Sequence, residues 1–180
     1  ESELNKNSVS GFMEEIEVKI IEIDPAEIIQ KLERLGATKV FEGDMNSIYF
    51  DYQGEFKKSR KTLRLRQKGE ACILTFKMKK ADAEARVNEE VETKVQDFEI
   101  MREIFQGLGF QEVSLGRRRR ISYKIKKSLV EIDFYPGIPP SLEVESPDKE
   151  ELKQIVHLLG YSMQQTKRWS GKKLMEYYKK

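Results

Sequence analysis

The feature that most constrains this chain is Glu15-Ile16-Glu17-Val18-Lys19, in which charged and aliphatic residues alternate strictly. In an extended strand successive side chains leave opposite faces, so Glu15, Glu17 and Lys19 share one face and Ile16, Val18 and Ile20 the other. The same alternation recurs at Arg64/Arg66, Lys77/Lys79, Glu90/Glu92, Arg118/Arg120, Glu131/Asp133 and Glu143/Glu145. Like charges two residues apart on a strand stand ~7 Å from one another, which is unfavourable unless counter-charges, metal ions or a polyanion bridge them. A chain that repeats this on strand after strand is expected to bind something that carries both metal and phosphate.

Charge is abundant and balanced: 36% of the 180 residues are charged, yet the net charge is +2. That balance argues against a simple basic nucleic-acid binder. One cysteine, Cys72, excludes an intrachain disulfide and a cysteine-cluster metal site, and fits a reducing, cytoplasmic setting. No apolar run approaches the ~18 residues of a membrane-spanning helix. Residues 1–12 are polar and lack the apolar core of a secretory signal. They are expected to be a disordered segment or an expression remnant, with 13–180 forming a single domain.

Periodicity places strands at 14–23, 38–52, 61–68, 71–80, 85–95, 110–123, 124–135 and 141–146. Amphipathic helices fall at 25–35, 97–108 and 148–159, and a short helix at 171–178 ends the chain. Asp24 is a natural N-cap for the first, with Pro25 at the first helical position. Leu35-Gly36, Leu108-Gly109 and Leu159-Gly160 close the three main helices, and each helix follows a strand bearing Glu-x-Glu. The pattern is a weak strand–helix–strand repeat. The basic run 57–61 reads as a solvated hairpin loop, His157 as a surface or packing residue, and Trp169 as a packing residue.

The fold class that follows is α+β, mainly β, with an antiparallel sheet. The three helices cover the aliphatic face from outside. The charged face is then either open to water or enclosed by closing the sheet. Closure explains why cations (Lys19, Arg64, Arg66, Lys77, Lys79, Arg86, Arg118, Arg120) are matched by an equal number of acids (Glu15, Glu17, Glu90, Glu92, Glu131, Asp133, Glu143, Glu145). Strand surface that the helices leave uncovered is compatible with a homodimer.

With Tyr49-Phe50-Asp51, Leu63-Arg64-Leu65-Arg66, Leu74-Thr75-Phe76-Lys77, Arg86 before Glu90-x-Glu92, Arg118-x-Arg120-x-x-Tyr123, Asp133 and Glu143-Val144-Glu145 added in order to Glu15-x-Glu17-x-Lys19, the chain resembles the CYTH, or triphosphate tunnel metalloenzyme, family. The resemblance implies an eight-stranded antiparallel closed β-barrel, a triphosphate tunnel with a charged lumen and helices packed outside. It implies Mg²⁺ or Mn²⁺ as cofactor, held by Asp133, Glu143 and Glu145, with Glu15, Glu17 and Glu92 forming or supporting a second site. Lys19, Arg64, Arg66, Lys77, Arg86, Arg118, Arg120 and Lys167 would line the phosphate track. These residue types suit the task, because hard divalent cations favour carboxylate oxygens and guanidinium forks grip phosphate bidentately.

The expected partner is a triphosphate or nucleotide substrate. Tyr49 and Lys77 are the candidate catalytic bases, Lys77 because a lysine set among cations has its charged form disfavoured. The resembled family holds both triphosphatases and class IV adenylyl cyclases. Hydrolysis is the preferred reading, since no segment clearly supplies a pocket for adenine and ribose. The alternatives are cyclisation of ATP to cyclic AMP and pyrophosphate, and a non-catalytic polyphosphate- or nucleotide-binding module. The chain departs from the family's usual final Ser-Tyr at Ser170-Gly171 and carries an all-arginine run at 117–120.

Overall fold

The computed structural model describes residues 11–179; the N-terminal segment expected to be disordered or an expression remnant lies, but for Gly11 and Phe12, outside the described residues. Eight strands form the body: β1 (Met13–Ile21), β2 (Thr38–Asp51), β3 (Lys61–Lys68), β4 (Ala71–Lys80), β5 (Arg86–Val95), β6 (Gln111–Ile125), β7 (Ser128–Phe134) and β8 (Ser141–Ser146). They close into a barrel in the order β1-β5-β4-β3-β2-β6-β7-β8, and neighbours run antiparallel. The expected mainly-β barrel is therefore the observed one, and the charged face is enclosed.

The helices lie outside. α1 (Pro25–Arg34) and α4 (Lys149–Leu158) bury Ile28, Leu32, Leu152, Ile155 and Val156 against Ile16, Val18, Ile132, Leu142 and Val144 of β1, β7 and β8. α2 (Glu55–Lys58) and α3 (Phe98–Gly107) cover the opposite side, where Phe56, Phe98, Met101 and Phe105 pack on Phe50, Leu63 and Leu65. α5 (Gly171–Tyr178) ends the described chain and buries Leu174. The hydrophobic core is thus split between two outer faces of the barrel, and its centre is polar.

Local chemistry sets the helix boundaries. The Asp24 carboxylate accepts the Ala26 N–H at 2.9 Å, as its place before Pro25 predicts. Gly36, Gly109 and Gly160 end α1, α3 and α4 with positive φ, and the next residue donates back into the last turn. Two details differ from the sequence reading. The hairpin between β6 and β7 turns at Lys126-Lys127, a few residues later than expected, with Lys126 at φ 52°. No Gly, Asn or Asp marks it, so the usual turn signal is missing. The segment expected as a loop also begins as a helix, because both Asp51 carboxylate oxygens accept N–H groups of its first turn, from Phe56 and Lys57, each at 3.1 Å.

Leu142 is fully buried between β1 and β7. Leu142→Ala should cost about 2–5 kcal/mol in denaturant unfolding. Leu115→Ala, at a side chain 66% exposed, should cost less than about 0.5 kcal/mol. Equal losses would mean that the outer face of β8 is not core.

Candidate active site in the tunnel

The strand order sorts the lumen by sign. β7, β8, β1 and β5 stand side by side and carry Glu131 and Asp133, Glu143 and Glu145, Glu15 and Glu17, and Glu90 and Glu92. The three Glu-x-Glu strands of the repeat are thus direct neighbours, β8-β1-β5. Across the tunnel, β4, β3, β2 and β6 carry Lys77 and Lys79, Arg64, Arg66 and Lys68, Ser47 and Tyr49, and Arg118 and Arg120. Lys19 and Arg86 are the cations set into the acidic wall. Glu15, Glu17, Lys19, Arg64, Arg66, Lys77, Arg120, Glu131, Asp133 and Glu143 are buried, while Arg86, Arg118, Glu145 and Lys167 are half-buried. Lys79 and Glu92 are exposed.

Charges pair where the walls meet and also within the acidic wall. Arg120 bonds both oxygens of Asp133 at 2.6 Å, reaches Glu143 Oε1 at 3.1 Å and also pairs with Glu131. Lys19 pairs with Glu143 and Arg86 with Glu17. Lys77 lies between Glu15 and Glu90, so its nearest charges are carboxylates and not the cations that the sequence reading surrounded it with. Glu15 also accepts from Asn88 Nδ2 at 3.1 Å, and Glu92 from Thr75 Oγ1 at 3.3 Å. Glu92 is therefore turned to the β4 side of its strand, apart from any pairing with Glu15 or Glu17.

The basic wall is left short of partners. Arg64 Nε and Arg66 Nε are buried with no hydrogen-bond acceptor, and Arg118 Nε lies 3.1 Å from Asp133 Oδ1 without an aligned bond. Burial first, then Arg64, Arg118 and Arg120, drive the Arg66 guanidinium well below its ordinary range. Arginine does not give up its proton in proteins, so this cost persists as a demand for an anion. Burial raises the Tyr49 phenol, but Arg64, Arg118 and Arg66 outweigh it and leave it lower than usual. Burial, with Glu17 and Asp133 opposing it, lowers the Lys19 ammonium to about 8.

The acidic wall is short of cations in one place. Glu131, Glu143 and Glu145 bring carboxylate oxygens within 4.8 Å of one another. Among the described residues Glu145 has no cationic partner, and burial together with Glu15 and Glu131 pushes its carboxyl well above the usual range. Three hard oxygen donors that repel one another fit a divalent cation. Asp133, placed in this set by the sequence reading, gives both oxygens to Arg120, and burial is outweighed there by Arg120 and Arg118, which hold its carboxyl far below the usual range. Glu131 is the residue that the sequence reading left out of the metal set. Its alternation with Asp133 was the available signal.

The C-terminal segment joins the site by a backbone bridge, in which Lys19 and Lys167 exchange N–H···O bonds of 2.9 and 2.7 Å. The departure Ser170-Gly171 also has a structural reason. A Cβ at Gly171 would come within 2.7 Å of the Tyr135 hydroxyl, which bonds Arg118 Nη1 at 3.0 Å.

Because Glu145 holds its proton to higher pH folded than unfolded, it favours the fold fully below the unfolded carboxylate range and loses that contribution as pH rises towards its folded value. Without divalent cation, Glu145→Gln should therefore melt above the unsubstituted protein at about pH 8 and level with it at about pH 4. Added Mg²⁺ should raise the melting temperature of the unsubstituted protein and leave the variant nearly unmoved. Equal melting of the two at both pH values would remove the repulsion.

Similarity to other proteins agrees with this geometry. A Methanocaldococcus jannaschii protein named as a candidate adenylate cyclase is 32% identical over 160 residues, covering 83% of this chain and 91% of its own. A conserved Pyrococcus furiosus protein of unassigned function superposes with a TM-score of 0.73 at 25% identity, covering 87% of this chain and 97% of its own. A Hippeastrum protein, described as a candidate adenylyl cyclase with a dominant triphosphatase activity, shares the fold with a TM-score of 0.64 at 17% identity, covering 92% of this chain and 95% of its own. The CYTH domain matches residues 13–173, and the chain belongs to the CYTH domain family.

Proposed function

We propose that residues 13–180 form one tunnel domain that hydrolyses a triphosphate-containing substrate, inorganic or organic, with the help of a divalent cation. The observation that carries this reading is the pair of buried, acceptor-less guanidinium nitrogens on Arg64 and Arg66, facing a wall whose Glu131, Glu143 and Glu145 oxygens converge. A polyanion answers the first and a hard cation the second. In this reading Lys19, Arg64, Arg66, Lys77, Arg86, Arg118, Arg120 and Lys167 hold the phosphate chain. Glu143 and Glu145, completed by Glu131, hold Mg²⁺ or Mn²⁺, and Glu15 and Glu17 support a second ion. When bound, such an ion neutralises charge on the phosphoryl oxygens.

Water adds to the terminal phosphorus, the bond to the bridging oxygen breaks, and orthophosphate leaves. Charge that spreads over the phosphoryl oxygens meets fixed guanidinium groups that need no reorganisation. Tyr49 faces Arg64 and Arg66, and its lowered phenol makes its oxygen suited to take the proton of the attacking water. Hydrolysis is favoured over cyclisation by what lines the lumen. Among the described residues the aromatic side chains set between the lumen arginines are Tyr49 and Tyr135, and Trp169, beside Lys167, is already packed on Tyr177. A purine ordinarily takes a largely apolar slot. The second reading, a class IV adenylyl cyclase, has the name of the Methanocaldococcus jannaschii relative in its favour.

Product analysis tests this. With tripolyphosphate, thiamine triphosphate or ATP and Mg²⁺ or Mn²⁺, orthophosphate should be released. Cyclic AMP with pyrophosphate would instead establish cyclisation, and tight binding without either product a binding module. Arg66→Ala should raise KM by about tenfold or more. Lys77→Ala should lower kcat more than affinity, and Glu143→Ala should abolish the metal dependence. Unchanged turnover in all three variants would overturn the assignment.

A further inference from the structure

One mouth of the tunnel opens into a cleft of about 720 Å³ that the triphosphate reading does not use. Its floor is the end of the basic wall. Lys77 lies in register with Thr62 on the neighbouring strand, and two residues further on Lys79 N–H donates to the Arg60 carbonyl at 3.1 Å. Lys79 therefore stands on the face of Lys77, ~14 Å along the strands from the rung of Arg64 and Thr75. Arg86 and Lys167 line the cleft where it joins the lumen, and Arg168 lines its outer side.

The walls are tied in place. The Asp82 carboxylate accepts the N–H groups of Glu84 and Ala85, each at 2.9 Å, and pairs with Lys149. Arg168 reaches the Asp82 carbonyl at 2.5 Å, and the Lys19–Lys167 bridge fixes the opposite side. Acids that line the cleft are already matched, Asp82 to Lys149 and Glu84 to Lys153. Among the described residues, Arg60, Lys79 and Lys167 have no carboxylate within ion-pair distance. The cleft is thus preformed and presents uncompensated positive charge.

Its one indole is not free. Trp169 stacks on Tyr177 with ring centroids 4.9 Å apart, and the Lys167 ammonium lies 5.9 Å from the Trp169 ring centroid. A nucleobase would have to displace one of them, whereas an anion meets open ammonium and guanidinium groups.

We propose that this cleft is a subsite for phosphates beyond the three gripped in the lumen, so that the preferred substrates are linear polyphosphates of four or more units. The proposal rests on the triphosphate reading. Arg86 and Lys167 pass the chain from the lumen to the mouth, and Lys79 and Arg60 bind its distal unit.

Calorimetric titration with tripolyphosphate and tetrapolyphosphate in Mg²⁺ separates the two claims. Tetrapolyphosphate should bind about tenfold tighter than tripolyphosphate, as one added charge-assisted contact predicts. In Arg60→Ala/Lys79→Ala that ratio should fall to about one, and in Lys79→Glu below one. Lys57→Ala/Lys58→Ala, on α2 and outside the cleft, should keep it. Tripolyphosphate that binds with no preference for the longer chain overturns the subsite and leaves the tunnel reading standing. Equal losses for both chains in the double variant overturn it in favour of long-range attraction. ATP that binds more tightly than tetrapolyphosphate overturns it in favour of a nucleoside in the cleft, and failure of tripolyphosphate to bind overturns both claims.

Discussion

Everything in this structure depends on enclosing charge. A closed sheet must turn one face inward, and here that face is ionic. An unpaired ion removed from water costs several kcal/mol, so the barrel closes only because each wall supplies counter-charge to the other. The grouping of acidic strands β7-β8-β1-β5 against basic strands β4-β3-β2-β6 supplies it between the walls, through Arg120 with Asp133 and Lys77 with Glu15 and Glu90, and Arg86 supplies it to Glu17 from within the acidic wall. The apolar core is displaced outward as a result, and α1 and α4 on one side, α2 and α3 on the other, protect the backs of the strands.

Pairing at the seams leaves residues in the middle of each wall uncompensated, and those residues form the candidate site. Arg66 is crowded by other guanidinium groups, and Glu145 by other carboxylates. Each excess is a standing destabilisation of the empty protein. A ligand that relieves it binds the folded chain and not the unfolded one, and so stabilises the fold by mass action. A metal and a polyphosphate relieve both excesses at once, and their own charges attract. The strain that the barrel tolerates and the affinity that it offers are one electrostatic term with opposite sign.

Much of this was legible in the sequence because the strand period is 2 and charge is easy to read. Alternation gave the lumen-facing set on every strand but β2, and the Leu-Gly endings gave the helix ends. What alternation does not give is strand order. Glu131 and Asp133 look equivalent along β7 and both reach Arg120, but Asp133 gives it both oxygens, whereas Glu131 gives it one and lies opposite Glu143 on β8. Likewise Lys77 stands beside Lys79 and Lys80 in sequence yet pairs with Glu90 on the neighbouring strand. Short-range features without a local marker also escaped, among them the Lys126-Lys127 turn and the cap that Asp51 gives to α2. The departure at Gly171 has no sign of its cause in the sequence, and the approach of Tyr135 supplies one.

A lumen selective for charge discriminates poorly among molecules that share a triphosphate. Its arginines recognise phosphate oxygens, and those are alike in an inorganic chain, a thiamine derivative and a nucleotide. Discrimination must come from where the fourth unit of the substrate goes, whether that unit is a phosphate, a thiazolium or a ribose. In this chain that position is the mouth between β3, β4, the 81–85 loop and the C-terminal segment. Those parts lie at or beyond the last rungs of the barrel, where Lys79, Arg60 and Arg168 are exposed. Closure fixes the reacting end of the site, and the mouth is free to vary around it. A fold argued from charge pairing alone is therefore specific about the reacting group and silent about what that group is attached to.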